Sequence, residues 1–302
     1  MNNALNIKSN SNTRRVGRLP GKGIRIVLAT FFFLNLALGA TAGADTNIPA
    51  SLEISGWHIL ADSVVLDIAK SSTELIGNVK ITRESTVIAA DDAKIFTSKA
   101  PSDSGQELNA ASIDKFIANG NVRIELENGV ATSDKADYEA ASKIIVLSGA
   151  PAKFITGKNT ISASVLNINF ENPEITVTEL IGNAAINQES TAISADHIKV
   201  WTDNKERNDN AEPGLNRDSI KKLEANGNVR IVLDNGVATS EKAVYDAETK
   251  RFIISGTGTK FISGKNPITA PVITMNRENG KVTFEGTNHQ PVEAVIFPDD
   301  KK

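Results

Sequence analysis

Ala118–Glu139 reads ANGNVRIELENGVATSDKADYE, and 107 residues later Ala225–Asp246 reads ANGNVRIVLDNGVATSEKAVYD. Seventeen of the twenty-two aligned positions are identical, which marks a tandem duplication. Within the quoted stretch Val122, Ile124 and Leu126 alternate with Arg123, Glu125 and Glu127, and Val229, Ile231 and Leu233 repeat the pattern. A period of two carried by β-branched residues is a half-buried strand. The same alternation places Leu75, Val79 and Ile81 on one face and Lys80 and Thr82 on the other.

The repeat extends outward from this stretch. Leu147–Ala163 returns as Ile254–Ala270 at the same shift, and Ile76–Ile81 returns as Ile181–Ile186 at a shift of 105. The two extra residues of the second copy fall in polar stretches at 98–112 and 203–219, which read as surface loops. A smaller unit, Gly-Asn followed by an alternating strand, recurs at Gly77, Gly120, Gly182 and Gly227. Strand-like runs continue at 63–68, 161–170, 191–201, 251–255, 272–275 and 281–284. Asn128-Gly129, Asn235-Gly236 and Asn279-Gly280 predict type I′ turns between antiparallel strands. The expected fold is all-β and mostly antiparallel, built from this tandem repeat.

Residues 1–44 read as a signal peptide cleaved after Ala44: six basic residues, the apolar run Ile26–Leu38, then Ala42-Gly43-Ala44. Their removal leaves 27 Lys+Arg against 36 Asp+Glu, a net charge of −9. That balance argues against a nucleic-acid partner, because phosphate contacts need clustered cations. The chain has no cysteine, so it folds without disulfides and has no thiolate for catalysis or metal binding. An exported, soluble, disulfide-free chain fits the periplasm. The expected organisation is 1–44 signal peptide, 45–165 first repeat, 166–286 second repeat and 287–302 C-terminal tail.

No catalytic or metal constellation emerges, and no cofactor is expected. His58, His197 and His289 are far apart in sequence, and His197 replaces Asp92 of the other copy. Asp91 and Asp196 are equivalent, and an Asp after a strand is expected to begin a turn. Gly-Asn-Val is better explained by a kinked strand than by phosphate binding. Lys153 and Lys260 each precede a Phe, as alternation alone predicts. Only 5% of residues are aromatic, so the aliphatic interior suits either a dry core or an elongated groove for an acyl chain.

The ordered series Glu74–Ile81, Val87–Asp91, Gly120–Ile124, Ala136–Tyr138 and Leu147–Gly149 resembles the OstA-like family of lipopolysaccharide-export proteins. The second copy repeats it as Gly182–Ile186, Ile193–Asp196, Gly227–Ile231, Ala243–Tyr245 and Ile254–Gly256, so the resemblance spans residues 54–286. It implies an elongated, twisted β-jellyroll that holds the lipid A acyl chains of lipopolysaccharide in an apolar groove. The groove lining is then expected at Val79, Ile81, Val122, Ile124, Phe154, Ile186, Val229, Ile231 and Phe261. The resemblance further implies inner-membrane and outer-membrane export components as partners, and head-to-tail self-association through open sheet edges. A family member typically carries one such unit, and this chain carries two. A structural or adhesive β-repeat protein with a dry core is the alternative.

Overall fold

The computed structural model describes residues 50–297 apart from 55–56, 68, 98–112, 127–128, 170, 173–174, 189–190 and 204–219. The expected signal peptide and the two polar loops lie outside the described residues, except that Asp203 ends a strand. Every described element is a β-strand, and all belong to one sheet. In chain order they are β1 (Ala50–Ile54), β2 (Trp57–Ala61), β3 (Ser63–Asp67), β4 (Ser72–Arg83), β5 (Thr86–Thr97) and β6 (Ile113–Leu126). There follow β7 (Gly129–Glu139), β8 (Ile144–Thr156), β9 (Asn159–Asn169), β10 (Ile175–Gln188), β11 (Thr191–Asp203), β12 (Ile220–Leu233) and β13 (Gly236–Asp246). The chain closes with β14 (Arg251–Ser255), β15 (Lys260–Ser263), β16 (Asn266–Thr269), β17 (Val272–Asn276), β18 (Val282–Glu285) and β19 (Glu293–Ala294).

From β4 to β13 each strand pairs antiparallel with the next, a continuous meander. The ten long strands all shift register near their middle, for example between Ile76 and Val79 and between Asn119 and Val122. At the two ends of the sheet the same bend splits a strand in name: β2 and β3 flank Asp62, β14 and β15 flank 256–259, and β16 and β17 flank Ala270-Pro271. Each strand therefore contributes to two half-sheets. One contains β3, β14, β17 and β18; the other contains β1, β2, β15, β16 and β19. Both pack on one hydrophobic cluster that runs from Ile59 to Met275, the arrangement of a jellyroll. β9 runs through the expected repeat boundary at 165/166 and joins β10 by nine residue pairs, so the two copies share one sheet.

The Gly-Asn units form the bends of β4, β6, β10 and β12. Gly77, Gly120, Gly182 and Gly227 have φ of 74–75°, and the following Asn78, Asn121, Asn183 and Asn228 have φ of 47–50°. Two successive left-handed residues make a bulge, and Gly and Asn tolerate that conformation. At Gly120 the neighbouring strand presents a carboxylate where a Cβ would lie: an added Cβ would sit 2.1 Å from Asp91 Oδ2. Asn121 Nδ2 donates to the same Oδ2 at 3.0 Å, Asn228 Nδ2 donates to Asp196 Oδ2 at 2.9 Å, and Asn78 Nδ2 donates to Asp62 Oδ2 at 2.8 Å.

Two expectations are corrected. Asp91 and Asp196 do not begin turns; they lie inside β5 and β11, where they cap the bend of the next strand. At Asn235-Gly236 there is no type I′ turn: neither residue has positive φ, the hairpin turns at Asp234–Asn235, and Gly236 is already paired with Leu233. Gly236 and Gly129 are required for close approach instead, since a Cβ there would lie 2.4 Å from the carbonyl oxygens of Ile262 and Ile155. Asn279-Gly280 places only Gly280 at positive φ.

Gly120→Ala is expected to cost more stability than Gly182→Ala. Both add about 1–2 kcal/mol of backbone strain. The Gly182 Cβ would meet Ser164 Oγ at 3.0 Å, whereas the Gly120 Cβ overlaps Asp91 outright. Urea unfolding of the two variants measures the difference; equal losses would show that the carboxylate does not hold the bend.

Candidate functional site

The expected lining residues come together. Ile81, Ile124, Phe154, Ile186, Ile231 and Phe261 lie on one cross-strand row. The row starts at Ile59 and passes Ile81, Ile88, Ile124, Ala131 and Phe154 in the first copy. It continues through Ile161, Ile186, Ile193, Ile231, Ala238 and Phe261 to Ile268. At about 4.8 Å per strand it is roughly 58 Å long. Val79, Val122 and Val229 sit beside it, two residues closer to the bend. All nine belong to the central cluster, seven of them buried and Ile124 and Phe154 half-buried.

A second row faces inward from the other half-sheet. It runs from Val64 through Leu75, Ala93, Ala118, Ala136, Leu147 and Leu166. Beyond the junction it continues through Leu180, Ile198, Ala225, Ala243, Ile254 and Ile273 to Phe284. Leu147, Leu166, Leu180, Ile198, Ile254 and Ile273 are among the largest fully buried side chains, yet sequence reasoning left them out of the lining. Alternation does not single them out: Ile144–Leu147 is continuously apolar and Leu180 is out of phase with Ile175, Val177 and Ile181, so only the register reveals that they form one line.

The interior contains no buried charge among the described residues; its buried polar side chains are Ser72, Thr73, Thr97, Ser133, Thr156 and Thr259. Charge is confined to the outer faces. Lys199 Nζ pairs with Glu179 at 2.7 Å and Lys222 Nζ with Glu224 at 2.7 Å, and both ammonium groups lie over the Trp201 ring at 5.3 and 5.1 Å. The hydrogen bond from Lys222 holds the Glu224 carboxyl below its ordinary range. Pairs of this exposed kind contribute about 0–1 kcal/mol each.

Catalytic geometry does not form around the recurrent acids. Asp91 and Asp196 are on β5 and β11, six strands apart, or roughly 29 Å along the sheet. Glycoside hydrolysis needs carboxylates about 5–9.5 Å apart. His58 is on β2, His197 on β11 and His289 in the loop before β19. Lys153 and Lys260 point away from the interior beside Phe154 and Phe261. The Phe261 ring packs against Phe284 with centroids 6.1 Å apart.

Two half-sheets closed on a long, uncharged, apolar interior define a β-jellyroll. A family model for the LptA/(LptD N-terminal domain) LPS transport protein matches the chain twice, over residues 58–174 and 171–281. The chain therefore belongs to this family, which places it among non-enzymatic transport proteins of the lipopolysaccharide system. Among solved structures it is similar to LptH, the LptA-homologous periplasmic component of the lipopolysaccharide transport device of Pseudomonas aeruginosa. The identity is 12% and the TM-score 0.24, covering 56% of this chain and 94% of that one. No curated protein matches the chain.

Leu180→Ala is expected to destabilise the fold by about 2–5 kcal/mol, and Ile181→Ala by about 0.5 kcal/mol or less. Leu180 is 0% exposed and its neighbour Ile181 is 41% exposed. Thermal or urea unfolding of the pair checks the assignment of the inner face.

Proposed function

We propose that this protein is a periplasmic bridge of the LptA type, in which two family units joined in one chain carry lipopolysaccharide by its lipid A acyl chains between inner-membrane and outer-membrane export components. The observation that carries this reading is the uninterrupted apolar row from Ile59 to Ile268, which crosses the β9–β10 junction without a polar break. An interior lined this way favours acyl chains and rejects charged headgroups, because burying an unpaired charge is costly. At about 0.8 kcal/mol per buried CH₂, acyl burial outweighs any exposed ion pair. The acidic exterior gives no general electrostatic grip on an anionic glycolipid. The lining is Val79, Ile81, Val122, Ile124, Phe154, Ile186, Val229, Ile231 and Phe261. Because most of these side chains are closed to water, loading requires the two half-sheets to part. Residues 1–44 supply export, and the repeats 45–165 and 166–286 act as two units of one conduit.

The sheet ends fit head-to-tail assembly. Among the described residues the outer edges of β3 and β18 carry no strand. β3 exposes Val65 and Leu66, 45% and 48% accessible. Every pairing between them is antiparallel, and the number of steps makes β18 run opposite to β3. A second copy stacked in the same orientation would therefore lay its β3 antiparallel to β18 and extend the ladder.

Photocrosslinking in cells tests the conduit. A benzophenone amino acid in place of Phe154, which preserves an aromatic ring, is expected to give a lipopolysaccharide adduct, and the same probe at Lys153 is not. Absence of an adduct at both Phe154 and Ile124 in exported, folded protein would favour a dry adhesive β-repeat instead. For the edges, Val65→Lys combined with Leu66→Lys is expected to weaken self-association at least tenfold by sedimentation velocity, with the unfolding temperature nearly unchanged.

A further inference from the structure

The C-terminal segment has no counterpart in the first copy and extends beyond the second family match, which ends at residue 281. Its place in the fold is nevertheless defined by the repeat. At the shift of 107, β16 corresponds to Asn159–Ser162, the first part of β9. There the next unit covers the edge with four paired residues of β10, Ala185–Gln188. β17 corresponds to the remainder of β9, and β18 covers it as the first half of β10 does, over four pairs. After Glu285 the chain leaves the sheet, turns through the Thr287–Gln290 bridge, and returns as β19 onto β16. Thus β18 and β19 are the two halves of one more bent strand, occupying the place that a third unit's first strand would take.

The second half is held weakly. β19 pairs only Ile268 with Ala294 and Thr269 with Glu293, supplemented by Val295 N donating to Pro267 O at 3.0 Å and Phe297 N donating to Asn266 Oδ1 at 2.8 Å. Beyond it Ile296 and Phe297 are 77% and 50% exposed, two large apolar side chains left uncovered on a terminal strap.

The opposite end of the sheet carries a matching step. β1 lies beside β2 alone, through five residue pairs, so the half-sheet of β2 projects one strand further than that of β3. When β3 of a second copy pairs with β18, its β1 arrives at the strand level that β19 fills. The directions agree as well: β16 and β2 run the same way, and β1 and β19 are each antiparallel to them. We propose that β19 is a displaceable edge cover, and that its replacement on β16 by β1 of a second copy is the step that locks end-to-end assembly. This rests on the head-to-tail reading given above and adds a regulating element to it: the incoming strand, five residues long, can pair all four residues of β16, where the strap pairs two.

The native absence of cysteine allows a direct test. Thr269→Cys with Glu293→Cys places an exposed pair directly opposite across the β16–β19 ladder, where a disulfide fastens the strap without touching the core. Self-association is measured by sedimentation velocity over a concentration series for the oxidised protein, the reduced protein and a chain ending at Gly286. Thermal unfolding verifies that each is folded. The oxidised form is expected to associate at least tenfold more weakly than the reduced form, and the shortened chain at least tenfold more tightly. Equal association of all three, abolished by Val65→Lys with Leu66→Lys, overturns the strap and leaves head-to-tail pairing standing. Absence of association in all three, the shortened chain included, overturns both.

Discussion

The fold depends on every strand bending at the same level. A flat strand of 12–14 residues would expose both faces and leave its apolar side without a partner. The bend divides each into two segments near the common strand length and brings both inner faces onto one cluster. It must occur on every rung, because a straight strand among bent ones would lose its ladder on both sides. On β4, β6, β10 and β12 the chain meets this with two left-handed residues, Gly then Asn, and on β4, β6 and β12 an acid from the adjacent strand lies opposite. The acid fills the space that the missing Cβ leaves, and its oxygen accepts the Asn amide. Where Ser164 replaces the acid opposite Gly182, the approach is looser.

Placing the acids on the bend also sorts the charges. Asp62, Asp91, Asp134, Asp196 and Glu241 lie against glycines on the solvent side of the bend, and the Lys–Glu pairs continue across the outer faces. What remains for the inner faces is Val, Ile, Leu, Ala and a few rings. Small residues in the second row, Ala93, Ala118, Ala136, Ala225 and Ala243, alternate in blocks with Leu and Ile. Aromatic side chains concentrate at one rim, where Tyr245 and Phe252 approach to 4.8 Å between centroids and Arg277 covers the Tyr245 ring. The same residues that fix the fold thus define an interior without buried charge among the described residues.

Much of this was legible in the sequence because alternation is local. The inner faces of β4, β6, β10 and β12 follow from Val79, Ile81, Val122, Ile124, Ile186, Val229 and Ile231 without any structure. The bends were legible too, because Gly-Asn in a strand has few other uses. Asp91 and Asp196 were misread because their role depends on a residue about 30 positions away on the adjacent strand, which no local pattern reports. The Asn-Gly pairs do lie between antiparallel strands, but the turn conformation expected at Asn235-Gly236 was misread for a similar reason, while Asn128 lies outside the described residues. Gly129 and Gly236 are dictated by the backbone and the Phe of a neighbouring strand, not by turn conformation. The second inner row was missed because its members come from many strands, and register alone aligns them.

Duplication changes what such a protein needs from its neighbours. The β9–β10 junction uses nine backbone pairs and continues both inner rows, so it matches the junctions within a unit apart from the looser Ser164–Gly182 approach at its bend. Joined by the chain itself, the two units meet at an effective concentration far above that of free partners, and the translational cost of association is absent at that step. In the proposed conduit, a given length then requires fewer non-covalent junctions, and the remaining ones carry more of the control. That shifts the decisive chemistry to the two ends of the sheet, where β1 projects beyond β3 and β19 holds its seat by two residue pairs. An end held firmly would be safe from edge-to-edge aggregation but closed to assembly; an end left bare would be the reverse. A short, weakly paired strap lies between these limits, because only a partner offering a longer strand in the correct direction gains by replacing it.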